Sequence, residues 1–276
     1  NIKSLKNLKN YKFLKIDICN YTKLQQAIKK FNPEIVIHFA AESHVDNSIK
    51  SPGKFIQSNI LGTYNILRSI NKKIFLVHIS TDEVYGHVIN NKSFSETTKY
   101  NPRSPYSASK ASADHLVSAW NSTYGYKSTI VNCCNNFGPN QAKEKFIPVI
   151  INNILNNKKI PIYGNGKQKR EWIYVDDFVA SIDFIISKNL FKENFVIGSG
   201  IRFENKIFAK KIISIFKNKL NYDEKKIKLI RVSDRPGHDI EYKIDSSKLR
   251  KLGWKPKTNI SNDLLKTINF YKTKNK

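Results

Sequence analysis

A tyrosine and a lysine, Tyr106 and Lys110, stand four positions apart in the stretch that follows Pro105. On a helix they share one face, and the ammonium group would favour the phenolate and lower the pKa of the tyrosine. Such a tyrosine can remove a hydroxyl proton while a hydride leaves the adjoining carbon. Because Tyr-x-x-x-Lys is common by chance, the pair predicts a redox site only in combination with other motifs.

A threonine and two adjacent carboxyl groups, Thr81, Asp82 and Glu83, directly follow a run of apolar residues. At the carboxyl end of a strand, the threonine can hydrogen-bond a reacting oxygen, and the two carboxyls can serve as general acid and general base. A solvated acidic turn is the alternative interpretation. Upstream, the small residues within 40–43 would let a ligand approach the backbone closely, and His44 beside them is either a ligand contact or an ordinary surface or packing histidine.

Short apolar runs alternate with helical patterns in the first part of the chain, and these elements must position the motifs. Strands are predicted at 11–16, 34–39, 73–80 and 128–133, and helices at 21–31, 51–70 and 105–124. The strand at 34–39 is predicted to be buried on both faces. The alternation predicts an α/β fold with a Rossmann-like, doubly wound parallel sheet, whose ligand site is lined by the loops after residues 39, 80 and 133.

The character of the sequence changes after Gly138 and Pro139, where helical patterns separated by short segments dominate. The predicted segments are 148–157, 160–163, 172–188, 194–197, 205–220 and 260–271. We therefore expect residues 1–138 to form the sheet domain, to which 171–198 return, and residues 139–276 to form mainly a substrate-binding lobe.

The composition limits the possible partners. The 276 residues include 48 basic and 22 acidic ones, which gives a formal net charge of +26. The lysines are spread among asparagines and isoleucines without a basic run interleaved with aromatics, so we predict no nucleic-acid partner and an anionic small ligand instead.

The apolar runs are shorter than the roughly 18 residues of a membrane helix, and no signal-peptide core follows Asn1, so we predict a cytoplasmic protein without membrane contact. Cys19, Cys133 and Cys134 lack metal-ligand spacing, which predicts free thiols and no metal site.

These motifs together resemble the extended short-chain dehydrogenase/reductase family and, within it, the sugar-nucleotide 4,6-dehydratases. Further stretches that support the resemblance are 104–111, 135–139, 144–148, 161–164 and 234–239. The pair Asp82 and Glu83 matters most, because the epimerases of the same family usually lack it. The resemblance extends from about residue 1 to the last predicted helix near Tyr271.

The resemblance implies NAD as cofactor, held by the domain 1–138, and dTDP-glucose as substrate. Tyr106, helped by Lys110 and Thr81, would take the C4 hydroxyl proton as hydride passes to NAD. Glu83 would then remove the C5 proton, and Asp82 would protonate the departing C6 hydroxyl. Hydride would return to C6 and a solvent-derived proton would add to C5, which gives dTDP-4-keto-6-deoxyglucose, a precursor for rhamnose or other deoxysugars. The alternatives are a UDP-sugar 4,6-dehydratase and a non-catalytic nucleotide-sugar binding protein.

The resemblance also implies binding residues and a homodimer formed through the helices 51–70 and 105–124. The implied cofactor contacts are Asp17, Ile18, Ala40, Ala41, Glu42, Ser43, Ser58, Tyr106, Lys110 and Asn136. The implied substrate contacts are His44, Thr81, Asn135, Lys145, Phe146, Pro161, Ile162, Tyr163, Arg170, Asn205, Asp234, Arg235, Pro236, Gly237 and His238. The guanidinium groups of Arg170 and Arg235 suit a pyrophosphate, with ordinary ion pairs as the alternative, and Tyr163 packs either on the nucleobase or in the core.

Members of the family open with a strand, a glycine-rich turn and a helix that hold the NAD pyrophosphate. No such turn precedes residue 17 here, and the first glycine is Gly53. Residues 1–8 resemble the segment after the second strand, so we expect the chain to lack the first strand, the first helix and the second strand. A strand at 34–39 would then lose a neighbour, and unpaired buried backbone groups cost about 1–3 kcal/mol each. We therefore expect the chain alone to fold poorly and to bind NAD weakly.

Overall fold

The structure is a computed structural model that describes residues 2, 5 and 7–274, so the predicted segment 1–8 lies largely outside the described residues. Nine strands occur in the described part of the chain: β1 (Ile35–His38), β2 (Phe75–Thr81), β3 (Lys127–Cys133), β4 (Asn135–Phe137), β5 (Ile160–Tyr163), β6 (Lys169–Tyr174), β7 (Phe195–Ile197), β8 (Arg202–Glu204) and β9 (Leu229–Val232).

The α-helices of the same described residues are α1 (Tyr21–Phe31), α2 (Val45–Lys50), α3 (Pro52–Phe55), α4 (Gly62–Ser69), α5 (Pro105–Tyr124), α6 (Phe146–Leu155), α7 (Val175–Ser187), α8 (Asn205–Leu220), α9 (Ser247–Lys251) and α10 (Ile260–Lys274). A π-helical segment, Ile56–Leu61, joins α3 to α4. The helix predicted at 51–70 is therefore present, with a π-helical insertion in its middle. A short 3₁₀ turn, Asp82–Tyr85, directly follows β2.

The central sheet is parallel, with strand order β1-β2-β3-β7. Thr81 at the end of β2 pairs with Cys133 at the end of β3, which in turn pairs with Ile197 of β7. The carboxyl ends of these strands therefore meet at one edge of the sheet, where ligands bind in folds of this kind. This arrangement confirms the predicted Rossmann-like α/β fold.

Helix α5 starts and ends where its sequence directs. The Ser104 hydroxyl accepts a hydrogen bond from the Ser107 amide at 3.1 Å, Pro105 occupies the first helical position, and Gly125 ends the helix in a left-handed conformation with φ of 69°. Tyr106 therefore lies in the first turn and Lys110 one turn later, against the end of β2.

A second group of elements packs beside the sheet. β4, β6 and β8 form a three-stranded sheet, and β5 pairs with β9. Side chains of α6, α8 and α10 bury a separate apolar cluster that includes Phe137, Ile150, Trp172, Phe208 and Leu264. β7 lies between β6 and β8 in the chain, but it pairs with β3 and so belongs to the central sheet. The proposed division at residue 138 stays a prediction.

Two predicted strands differ from the structure. Residues 11–16 form no strand, because they make no ladder hydrogen bonds with a neighbour. The strand at 34–39 is shorter, and Ile35 and Ile37 are 39% and 42% exposed rather than buried. The reason is position: β1 is the outer strand of the described sheet, and a single sequence does not reveal how many strands flank it. Among the described helices, none is long and apolar enough to cross a membrane.

Candidate active site

Two adjoining cavities lie at the carboxyl edge of the central sheet. The inner cavity, of about 400 Å³, is surrounded by the ends of β2 and β3 and by α5. The outer cavity, of about 310 Å³, extends toward the second group of elements. Ser43, Glu83, Asn135 and Lys145 line both, so the two form one continuous site. Their sizes suit a small-molecule ligand.

The inner cavity brings together all the residues for which the sequence predicted chemistry. Thr81, Asp82 and Glu83 enter it from the end of β2, and Tyr106 and Lys110 enter it from the first turns of α5. The Thr81 hydroxyl also accepts a hydrogen bond from the Glu83 amide at 3.3 Å, which fixes the turn. A hydroxyl, a phenol, an ammonium and two carboxyls therefore face one enclosed space.

The pKa of Tyr106 does not follow the sequence prediction. Burial raises it well above its usual range, the nearby Glu83 and Cys133 add to the rise, and only the Thr81 hydroxyl opposes them. The Lys110 ammonium donates a hydrogen bond to the Ile79 carbonyl at 2.8 Å. The predicted lowering of the tyrosine pKa by Lys110 is therefore wrong for this structure, because burial outweighs the charge that the spacing places nearby.

The two adjacent carboxyls occupy unequal environments. Asp82 is 2% exposed, and burial, Glu83 and Glu171 together raise its pKa well above the usual range. Burial also raises the pKa of Glu83, but the positive charges of Arg170 and Lys145 oppose that rise. Asp82 Oδ2 has no hydrogen-bond partner among the described residues, as suits a carboxylic acid that faces a ligand. The pair can therefore supply one acid and one base.

The outer cavity is polar and basic. The predicted substrate residues that line it are His44, Asn135, Lys145, Phe146, Pro161, Tyr163, Arg170, Asn205, Arg235 and His238. Arg170 is 7% exposed and donates to the Asp239 carbonyl at 2.8 Å. Arg235 forms a two-point ion pair with Asp46, at 2.9 and 3.1 Å, and lies 4.6 Å above the Tyr163 ring. Arg235 thus has a carboxylate partner that an incoming diphosphate would have to replace.

A segment after β1 suits the close approach of a cofactor. Residues 40–43 are exposed beside the inner cavity, and Ala41, Ser43 and Asn136 line it. Asn136 Oδ1 is buried without a hydrogen-bond partner among the described residues, so it can accept from a bound amide. These features fit the nicotinamide end of NAD. Within the same described residues, no group of three or more metal-ligating side chains occurs.

Asn59 fixes this segment, a role that the sequence analysis missed. Its side chain accepts from the Glu42 amide at 2.9 Å and donates to the Glu42 carbonyl at 3.0 Å. It also donates to Ser109 Oγ at 2.8 Å, which ties the segment to α5. Asn59 is 1% exposed. In the sequence, the only signal was an asparagine within the predicted helix 51–70.

Several predicted residues lie elsewhere. Asp17, Glu42 and Ser58 line a separate cavity of about 390 Å³. Three further predicted site residues make structural contacts instead. Ile18 packs against Gly62, and Ile162 belongs to the apolar cluster of the second group of elements. Asp234 accepts hydrogen bonds from the Gln168 side chain and the Arg235 amide. Ala40, Pro236 and Gly237 line neither the inner nor the outer cavity.

Several lining residues were not predicted as site residues, among them Phe39, Asp46, Gln141, Trp172 and Phe178. The aromatic members resemble ordinary core residues in the sequence. Asp46 is matched to an arginine 189 positions later, a pairing without a local signal.

Comparison with known proteins agrees with this geometry. A family model described as GDP-mannose 4,6 dehydratase matches residues 1–267. A probable dTDP-glucose 4,6-dehydratase from Sinorhizobium fredii and a dTDP-glucose 4,6-dehydratase from Escherichia coli are each 40% identical over 98% of this chain, covering 81% and 83% of those proteins. The crystal structure of a dTDP-glucose 4,6-dehydratase from Streptomyces venezuelae with NAD and TYD bound is 35% identical, with a TM-score of 0.87 over 95% of this chain and 80% of that one. With its sheet, its two cavities and a match over nearly all of its length, this chain belongs to the GDP-mannose 4,6 dehydratase family of proteins.

Proposed function

We propose that the protein is an NAD-dependent hydro-lyase that converts dTDP-glucose to dTDP-4-keto-6-deoxyglucose. The observation that carries the proposal is the shared inner cavity of Thr81, Asp82, Glu83, Tyr106 and Lys110. Epimerization would need the tyrosine but not an adjacent acid and base. The names of the relatives at 40% identity support the same reaction.

The outer cavity would hold the nucleotide part of the substrate. Arg170 and Arg235 would pair with the diphosphate, because guanidinium groups match its oxygens in a two-point geometry. For Arg235, the substrate would take the place of the Asp46 carboxylate, so binding exchanges one anionic partner for another. The Tyr163 ring, beside Arg235, offers a face for the base. The hexose would then extend toward Glu83, which lines both cavities.

The first chemical role belongs to Tyr106. Residues 40–43, Tyr106, Lys110 and Asn136 would hold NAD, which would supply a hydride acceptor for C4 and, once reduced, a hydride donor. Tyr106 would take the proton of the C4 hydroxyl, and the Thr81 hydroxyl would hold that oxygen in place. Lys110, fixed on the Ile79 carbonyl, would stabilise the phenolate as it forms.

The carboxyl pair would then remove water. The 4-ketone acidifies the C5 proton, and Glu83 would take that proton because Arg170 and Lys145 favour its ionised form. Asp82, whose protonated form is favoured by burial, would give its proton to the departing C6 hydroxyl. The unequal surroundings thus favour the acid form more strongly at Asp82 than at Glu83.

We also propose a homodimer that functions in the cytoplasm. The helices predicted to form the interface expose apolar side chains: Ile56, Leu61, Tyr64 and Tyr124 are 51%, 42%, 37% and 48% exposed. Burying them against a second copy would stabilise the pair. Light scattering during size-exclusion chromatography tests this, and a monomeric mass at micromolar concentration contradicts it.

The activity is tested by incubating the purified protein with dTDP-glucose or UDP-glucose in a large excess of NAD, which compensates for weak NAD binding and stabilises the folded state by mass action. The 4-keto-6-deoxy product is detected by mass spectrometry. We expect turnover of dTDP-glucose and much slower turnover of UDP-glucose. Preference for UDP-glucose would indicate a UDP-sugar 4,6-dehydratase. Binding of dTDP by calorimetry without turnover of either sugar would indicate a nucleotide-sugar binding protein.

A further inference from the structure

A buried carboxylate stands behind the inner cavity, outside the residues that line it. Asp114 lies on α5, four residues after Lys110 and eight after Tyr106, and is 1% exposed. Its Oδ2 accepts hydrogen bonds from Ser80 Oγ at 2.7 Å, from Tyr100 Oη at 3.0 Å and from Asn132 Nδ2 at 3.1 Å. One carboxylate oxygen therefore collects three donors from three different segments.

The donors belong to the segments that carry the reactive groups. Ser80 immediately precedes Thr81 at the end of β2, and Asn132 occupies the penultimate position of β3. Tyr100 lies in the loop that leads into α5. Asp114 thus joins the helix that presents Tyr106 to the strand that presents the threonine and the carboxyl pair. A neutral amide at this position would offer one acceptor and would turn two N–H groups toward other donors.

The charges around Asp114 give it a second role. Burial lowers the pKa of Lys110, and Asp114 opposes that fall. On β2, His78 Nε2 lies 3.2 Å from Asp114 Oδ1, and burial together with Lys110 lowers the pKa of that histidine. His38 of β1 lies behind His78, with ring centroids 5.1 Å apart, and burial lowers its pKa as well.

The remaining titratable neighbours are phenols. Burial raises the pKa values of Tyr85 and Tyr100, and Asp114 adds to both rises. Neutral histidines and phenols leave the ammonium of Lys110 as the charge that balances Asp114. Asp114 therefore opposes the fall in the Lys110 pKa that burial causes.

We propose that Asp114 is a positioning residue for the reaction: through its hydrogen bonds to Ser80, Tyr100 and Asn132 it holds α5 against the ends of β2 and β3, so that Tyr106 and the turn 81–83 face one hexose. This inference rests on the proposed function. Asp114 lines neither the inner nor the outer cavity, so its effect passes through neighbours such as Ser80. Its loss should therefore change the rate of the reaction more than the binding of the substrate.

The test is Asp114→Asn, assayed for kcat and KM with dTDP-glucose across a range of pH. We expect kcat to fall at least about tenfold, because small displacements of reacting groups cost rate steeply, while KM changes by less than about threefold. The alkaline limb of the kcat profile should move to lower pH. The sign follows because Asp114 and, to a smaller extent, Cys133 oppose the effect of burial on the Lys110 pKa. Without the Asp114 carboxylate only Cys133 opposes it, so the ammonium is lost at lower pH.

A second readout does not depend on activity. Amide hydrogen exchange of residues 79–83 should accelerate in Asp114→Asn and, less strongly, in Tyr100→Phe, which removes one donor and keeps the ring. The matched control is Asp183→Asn, which removes an exposed carboxylate on α7 and should change neither readout. If Asp114→Asn does not fold, Tyr100→Phe alone provides the hydrogen-exchange test.

The possible outcomes distinguish a failure of the role proposed for Asp114 from a failure of the proposed function. A lower melting temperature with wild-type kcat and an unmoved pH profile would make Asp114 merely structural and would overturn the inference. Unchanged exchange at 79–83 would overturn it too. If the wild-type protein turns over no dTDP-glucose while exchange at 79–83 still accelerates in the variant, the proposed function fails and the positioning of the turn by Asp114 stands.

Discussion

Replacing Glu83 with glutamine tests the assignment of the general base. The change keeps the size of the side chain and the hydrogen bond of its backbone amide to Thr81, and it removes only the ability to accept a proton. Asp82 should not take over, because burial and Glu171, which both remain in the variant, still raise its pKa and favour its protonated form. A positioned base typically contributes roughly 10²–10⁴-fold in rate, about 3–5 kcal/mol of transition-state stabilisation, so kcat should fall by that factor.

Two measurements locate the block. In D₂O, the wild-type product should carry deuterium at C5, whereas substrate recovered from Glu83→Gln should carry none. Oxidation at C4 does not need Glu83, so reduced-nicotinamide fluorescence should accumulate in the variant when dTDP-glucose is added. Glu83→Asp, which keeps a shortened base, should retain part of the activity. Glu34→Gln removes an exposed carboxylate at the opposite edge of the sheet and should behave as wild type. Full turnover by Glu83→Gln would refute the assignment.

Three further changes probe the site and its support. Asp82→Asn should lower kcat roughly 10²-fold or more through loss of the acid, and steady-state kinetics showing an unchanged kcat would exclude that role. In wild type, kcat should fall as the pH drops through the raised pKa of Glu83, since the base must be ionised. In Lys145→Met that acid limb should move to higher pH, because a charge that lowers the Glu83 pKa is gone; a limb that stays in place would contradict the electrostatic argument. Gly198→Ala would place a Cβ 2.1 Å from the buried Glu171 Oε1, and thermal unfolding should show a loss of about 1–3 kcal/mol, whereas an unchanged melting temperature would mean that Glu171 moves freely.

The sequence predicted best those elements whose ends carry local signals. Helix α5 was predicted at its observed bounds, because Ser104, Pro105 and Gly125 supply a cap, a first-turn proline and a left-handed stop. β1 was misjudged because an apolar run does not tell whether a strand has one neighbour or two. Residues 11–16 have a strand-like pattern but no partner in the described sheet, and pairing is a property of the fold.

The residues that line the site could be predicted better than their pKa values and ion pairs. The strand-end rule brought Thr81 and Tyr106 together from a distance of 25 positions, and both line the inner cavity. Spacing alone did not reveal that burial would raise the tyrosine pKa, since burial depends on the whole surrounding structure. Nor did it reveal the pairing of Arg235 with Asp46, which depends on two elements far apart in the chain.

The carboxyl pair shows how position, rather than residue type, creates an acid and a base. Asp82 and Glu83 occupy consecutive places in a 3₁₀ turn, where successive side chains point about 120° apart. Asp82 therefore faces the inner cavity alone, among buried groups that include Glu171, whereas Glu83 also reaches the outer cavity and the charges of Arg170 and Lys145. The basic residues that suit the diphosphate thus also favour the ionised base. Because Arg170 acts on both the diphosphate and Glu83, binding of the nucleotide and removal of the C5 proton are electrostatically coupled. A bound diphosphate neutralises Arg170, so Arg170 lowers the pKa of Glu83 less. The Glu83 carboxylate is therefore a stronger base once substrate is bound.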